Sequence, residues 1–144
     1  MADNKYMTDD MFSETMLPAK ALNYPEVRDG LRLEREHFLD SRHGAIYDKM
    51  TNDHTFTKEL LLNDSLTNPE RYGDYNFVQS IINFPIATKH GLLNDQKSVY
   101  RFYSERNQKQ VMQEYLRDPN EENALKVYQM IKKLQDFDFD AHDK

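Results

Sequence analysis

Two short motifs pair a carboxylate with a histidine three residues later, a spacing that could bind a metal. They are Glu34-Arg35-Glu36-His37 and Asp40-Ser41-Arg42-His43. On a helix, residues i and i+3 project to one side, and di-iron carboxylate bundles use Glu-x-x-His in this way. Such a site also needs the same motif from a second helix and two further Glu residues, which we do not find. His37 and His43 differ by about 240° in helical phase, so they would not share a helix face.

The motifs therefore favour a network of surface ion pairs, and we predict neither a bound metal nor a cofactor. A metal-dependent enzyme of the helical-bundle type, centred on Glu34, His37, Asp40 and His43, is kept as an alternative. Other catalytic patterns are missing from the chain. It has no Cys, no Gly-rich phosphate loop, no His-Glu-x-x-His zinc motif and no Ser in a nucleophile elbow. These absences favour a protein that is not an enzyme.

Length and composition predict one small, acidic domain. A chain of 144 residues fits a single domain of ordinary size. Its net charge of −6 argues against a general nucleic-acid binder, which normally carries a basic excess. No apolar run approaches the ~20 residues of a membrane helix, and the first residues lack a signal-peptide pattern. We therefore expect a soluble, cytoplasmic protein with no membrane partner.

The pattern of apolar residues predicts an all-α fold, a single irregular bundle of four to six helices. Few Gly and Pro residues occur, and they fall where helices would end. Residues 74–83 combine aromatic and β-branched side chains, as strands do, but their i, i+3, i+4 spacing favours a helix. The main predicted helices are 25–50, with a kink near Gly44 or a division into two helices, then 94–117, and 120–136, which begins at an Asp118 cap.

We divide the chain into a partly flexible N-terminal segment (1–22), a helical domain (23–135) and an acidic C-terminal tail (136–144). The helix predicted for 120–136 has a clear apolar stripe, which includes Val127, Tyr128 and Ile131.

The predicted helix 94–117 carries apolar patches on opposite faces. One patch holds Val99, Phe102 and Tyr103, and the other holds Val111, Met112, Tyr115 and Leu116. Such a helix must either break near Asn107 or cross two layers of its own core. Otherwise, one patch packs within the protein and the other contacts a partner. An exposed apolar patch would support the partner interpretation.

The same predicted helix is locally basic, through Lys97, Arg101, Arg106 and Lys109. Basic side chains among aromatic residues can contact phosphates and bases. Because the rest of the chain is acidic, we expect a solvated charged face, with local nucleic-acid contact as the alternative.

The tail alternates acidic and aromatic residues. A disordered tail is the simplest expectation, and a short binding motif is the alternative. In that motif Phe137 and Phe139 would enter pockets while Asp136, Asp138 and Asp140 steer toward a basic surface.

Together these observations predict a protein-interaction subunit that docks into a larger assembly, for instance in a virion or a mobile element, as a homo-oligomer or with another protein. An acidic regulator that occupies a basic, nucleic-acid-binding site on a partner is the alternative. The residues expected to contact a partner are Val99, Phe102, Tyr103, Val111, Met112, Tyr115, Phe137 and Phe139.

Overall fold

The prediction of an all-α fold is confirmed in a computed structural model that describes residues 9–85 and 90–137. These two ranges contain seven α-helices, two 3₁₀ helices and no β-strand, which is more helices than the four to six predicted. The 3₁₀ helices are Pro25–Gly30 and Arg35–His37. The α-helices are α1 (Asp9–Asn23), α2 (Ser41–Asn52), α3 (Lys58–Thr67), α4 (Pro69–Tyr72), α5 (Tyr75–Ile82), α6 (Leu92–Arg117) and α7 (Glu121–Asp136).

The chain forms two compact units, Met1–Val99 and Tyr100–Lys144. The first unit holds α1 to α5 and the beginning of α6. The second unit holds the remainder of α6 and all of α7. Helix α6 runs without a break from Leu92 to Arg117, including residue 107, where the sequence allowed a break.

Helix α1 lies at the centre of the first unit. It packs against α2, α5 and the first 3₁₀ helix, and Leu17, Ala19 and Ala21 are completely buried. Lys20 is also buried, and its ammonium group donates to the carbonyl of His90 at 2.6 Å and to the Asp95 carboxylate at 2.5 Å. The prediction of a partly flexible segment over 1–22 did not anticipate this helix. Residues 1–8 lie outside the described residues.

The predicted long helix over 25–50 is wrong. Leu31 and Phe38 are buried, but both have extended backbone conformations that end the two 3₁₀ helices. Arg28 also turns inward, where its guanidinium donates to the carbonyls of Ala21 (3.1 Å) and Phe56 (2.6 Å). These inward contacts need a chain that changes direction, so only α2 is a regular helix within this range.

Gly44 lies inside α2 and does not mark a kink. A Cβ atom at this position would come within 2.8 Å of the Arg35 carbonyl oxygen. The glycine therefore permits a close approach between α2 and the second 3₁₀ helix. The absence of a side chain at Gly44 is needed for packing against the second 3₁₀ helix, and it does not end or bend α2.

The later helices agree better with the sequence. Residues 74–83 are helical, with Asp74 accepting the Phe77 N–H as N-cap. The helices predicted over 94–117 and 120–136 correspond to α6 and α7. The N-cap of α7 is Asn120 and not Asp118, because the extended backbone of Asn120 lets its side chain accept the Asn123 N–H.

We predict that Leu17→Ala destabilises the protein by about 2–5 kcal/mol, because it leaves a cavity beneath α1. Leu66→Ala is the matched control, since Leu66 is 66% exposed, and it should change the free energy of unfolding by less than about 0.5 kcal/mol. Urea unfolding followed by circular dichroism measures both values. Equal effects of the two substitutions would show that α1 is not part of the core.

Candidate interaction surface

The second unit is a helical hairpin whose turn is held by asparagine side chains. Asn120 caps α7, and Asn123 donates through its side chain to the carbonyl of Asp118 at 2.8 Å and to that of Glu114 at 3.3 Å. The same two carbonyls also accept backbone N–H groups, that of Glu114 from Asp118 at 3.0 Å and that of Asp118 from Asn120 at 2.9 Å. The turn therefore sends α7 back along α6.

Contacts along the hairpin follow an antiparallel order. Near the turn, Glu114 lies 4.0 Å from Lys126. Farther away, Lys133 donates to the Tyr103 hydroxyl at 3.2 Å. At the far end, the rings of Tyr100 and Phe137 stack with centroids 4.1 Å apart. The two helices thus pair from the turn to residue 137.

One side of this hairpin is polar and the other is apolar. Glu114, Lys126, Lys133 and the Tyr103 hydroxyl mark the polar side. On the other side, Tyr115, Ala124 and Val127 line a shallow groove of about 130 Å³. Tyr128 and Ile131 follow Ala124 at i+4 and i+7, and Met112 precedes Tyr115 by three residues, so helical periodicity extends this apolar side along both helices.

The apolar residues of the hairpin are poorly covered. Among its described residues, α7 has no buried side chain at all. Its half-buried residues, Asn123, Val127, Met130 and Leu134, recur every three or four positions, as expected for the side that meets α6. Beyond that side, six large apolar side chains are exposed, and we refer to them as the docking face: Met112, Tyr115, Leu116, Leu125, Tyr128 and Ile131.

The residues that the sequence assigned to a partner site fall in different environments. Val99 and Tyr103 are buried and Phe102 is partly buried. Val111 is partly buried, whereas Met112 and Tyr115 are exposed and belong to the docking face. Phe137 is partly buried beside Tyr100. Phe139 lies outside the described residues, as does the rest of the tail over 138–144.

Sequence reasoning did not select Leu125, Tyr128 and Ile131 as contact residues. The sequence places Tyr128 and Ile131 on the apolar stripe of the helix predicted over 120–136, and it gives Leu125 no role. A signal was nevertheless present, because the apolar residues of α7 occupy more of the helix surface than one neighbouring helix can cover.

The basic residues of α6 do not form one patch within a unit. Lys97 belongs to the first unit, and Arg101, Arg106 and Lys109 belong to the second. Arg101 has a local partner, because its side chain lies 4.0 Å from Glu105 and its guanidinium is 4.6 Å from the centre of the Phe102 ring. The positions of these basic residues do not support the alternative of local nucleic-acid contact.

A second candidate site is a buried polar cluster around Glu14 of α1. One carboxylate oxygen accepts the backbone N–H of Leu39. The other accepts the N–H of Asp40 at 3.2 Å and lies 3.1 Å from Nδ1 of His43. Glu14 and His43 are both 2% exposed. Sequence reasoning missed Glu14, since an acidic residue in a polar N-terminal segment has no local signal of burial.

The cluster superficially resembles a nucleophile, a base and an acid, because Nε2 of His43 lies 3.5 Å from the Thr15 hydroxyl. In such a triad the hydroxyl must donate its proton to the imidazole. Here the Thr15 hydroxyl donates to the Met11 carbonyl at 2.7 Å, a shorter contact within the same helix. The arrangement therefore suits a structural link between α1 and α2 better than nucleophilic catalysis.

Asp40 and Arg42 lie at the edge of this cluster. Asp40 caps α2 by accepting the Arg42 N–H at 2.9 Å, and the Arg42 guanidinium donates back to it at 2.8 and 3.1 Å. Hydrogen bonding from the Arg42 side chain lowers the pKa of the Asp40 carboxyl. The same guanidinium lies 3.7 Å from the centre of the Phe77 ring. Together these three side chains, with His43, line one wall of an open pocket of about 460 Å³.

The two carboxylate-histidine motifs form separate structures. Glu34 and His37 make a capping box on the second 3₁₀ helix, where the Glu34 N–H donates to Nδ1 of His37 at 2.8 Å. His43 instead contacts Glu14. Within 9–85 and 90–137, no group of three or more His, Asp or Glu side chains could hold a metal ion.

Comparisons with known proteins add no relative: no family model, no curated protein and no solved structure matches this chain. Among the described residues, no helix is both long enough and apolar enough to cross a membrane.

We predict that Glu14→Ala costs about 3–5 kcal/mol of folding free energy, because His43 and two backbone N–H groups lose a buried acceptor. The matched control is Glu105→Ala, which removes an exposed ion pair with Arg101 and should cost less than about 1 kcal/mol. Chemical unfolding of the two variants gives the comparison. A Glu14→Ala variant as stable as Glu105→Ala would rule out this role for the carboxylate.

Proposed function

We propose that this protein is a non-enzymatic interaction subunit that docks into a larger assembly through the docking face of its C-terminal hairpin. The observation that supports the proposal is the exposure of α7. Every described residue of this amphipathic helix is at least partly exposed, although it carries apolar side chains on two adjoining sides. Large contiguous apolar patches are rare on the surface of monomeric soluble proteins, and those that occur commonly mark interaction sites.

The free energy of helix packing also supports the proposal. Helices in proteins are stabilised mainly by packing of an apolar face, and not by intrinsic propensity. Against α6 alone, α7 leaves Leu125, Tyr128 and Ile131 52%, 62% and 47% exposed. Burial of such side chains against a partner would contribute roughly 25 cal/mol for each Å² of apolar surface removed from water.

The shape of the docking face indicates which kind of partner surface would fit it. The groove between Tyr115, Ala124 and Val127 is shallow and apolar, and helices pack by placing side chains of one helix between those of another. An amphipathic helix or a second helical hairpin fits this surface, and two paired hairpins form a four-helix bundle. Two exposed tyrosines, Tyr115 and Tyr128, belong to the residue types enriched at interfaces.

We predict that Leu125→Asp weakens assembly by at least about 30-fold, since it places a charge in an apolar contact and the few residues that dominate an interface are each worth about 2 kcal/mol or more. Fold stability should be unchanged, because Leu125 is half exposed in the isolated chain. Two measurements are made together: sedimentation velocity of the purified chain, and recovery of bound proteins from cells that produce it.

The control is Leu66→Asp, which places the same charge at an exposed leucine of α3 in the first unit. An association counts only if Leu125→Asp reduces it and Leu66→Asp does not. If neither self-association nor any captured partner responds to Leu125→Asp, the docking face has no such role and the proposal is wrong.

A further inference from the structure

The exposed surface of α7 carries a charged stripe with an internal symmetry. Glu121, Leu125, Tyr128 and Lys132 follow one another at intervals of four, three and four residues. At about 100° per residue they fall within an arc of about 60° on the helix. All four are exposed, with an acid at one end, a base at the other and two apolar residues between them.

This stripe is self-complementary when two copies run antiparallel. A two-fold axis perpendicular to α7, passing between Lys126 and Val127, places Leu125 opposite Tyr128 of the second copy. The same axis places Glu121 opposite Lys132 of the second copy, and it repeats both pairs by symmetry. A two-fold interface uses the same patch on both subunits, so a patch that complements itself in this way suits it.

Charge also selects the direction of the pairing. In a parallel arrangement Glu121 would face Glu121 and Lys132 would face Lys132, and like charges across an interface are unfavourable. Lys132 has a partner within its own helix, since its ammonium lies 3.5 Å from Asp136. Both side chains of that pair are more than 60% exposed, so the pair is weak and does not prevent contact with a second copy.

We propose that the partner of the docking face is a second copy of this chain, and that two α7 helices pair antiparallel to form a two-fold dimer. The inference rests on the proposed function, because it uses the α7 part of the same surface. It adds the identity of the partner, the direction of the helices and the contacts that set the register. Leu125 and Tyr128 supply the apolar centre, while Glu121 and Lys132 close its two ends.

The test is an exchange of charges, measured on the full chain by sedimentation velocity at low ionic strength. Glu121→Lys and Lys132→Glu should each weaken the dimer by about 10-fold or more, because each single variant faces like charges twice. The double variant Glu121→Lys/Lys132→Glu should dimerise as the original chain does. An equal mixture of the two single variants should also dimerise, since all four charges then meet opposite partners.

Glu122→Lys is the matched control, because it makes the same charge change one residue away and off the stripe. It should leave the dimer within about 2-fold of the original, and added salt should reduce the differences among the variants. Circular dichroism verifies that every variant is folded.

Three outcomes would overturn the inference: a monomeric original chain, a mixture that associates no better than its components, or equal effects of Glu121→Lys and Glu122→Lys. In each case the proposed function would still stand if Leu125→Asp abolished binding to a different protein. A dimer that is insensitive to Leu125→Asp would contradict the inference, and it would contradict both proposals if no captured partner responded to that substitution either.

Discussion

The packing of the first unit depends on the hydrogen bonds of the buried Glu14 carboxylate. This carboxylate is buried in α1, and it accepts hydrogen bonds from the two residues that precede α2 and contacts a histidine in the first turn of α2. A buried carboxylate is tolerated only where such partners surround it. One side chain thereby joins the N-terminal helix to the segment that connects the second 3₁₀ helix to α2. The close approach at Gly44 depends on the same placement of α2.

The second unit is organised differently. Its contacts among the described residues include a capped turn, a hydrogen bond from Lys133 to Tyr103, an ion pair between Glu114 and Lys126 and a stacked pair of rings, and its apolar side chains are only partly covered. In the first unit the buried Glu14 and Lys20 side chains find hydrogen-bond partners, whereas the hairpin leaves apolar surface in contact with water. This contrast between a closed core and an open hairpin is the basis for assigning the interaction role to α7.

Much of the C-terminal half could be predicted from the sequence. Helices α6 and α7 have long periodic patterns and a proline-containing turn between them, so their signals are local. The helix predicted over 25–50 is wrong because the chain folds back on itself there, so that Leu31 and Phe38 are buried outside any α-helix. Glu14 was missed because its partners are 25 to 29 residues away in sequence. The exposure of Leu125 depends on what α6 leaves uncovered, which periodicity alone does not specify.

The buried Lys20 has a consequence for the order in which the first unit can form. Its ammonium is satisfied by His90 and Asp95, and the second of these is 75 residues farther along the chain. During synthesis α1 emerges well before α6, yet this charge gains its native partners only after the beginning of α6 has been made. Contacts between such distant residues slow folding, because a long loop must close before they contribute. Helix α1 is therefore synthesised before α6, but its buried charge is satisfied only once the beginning of α6 is in place.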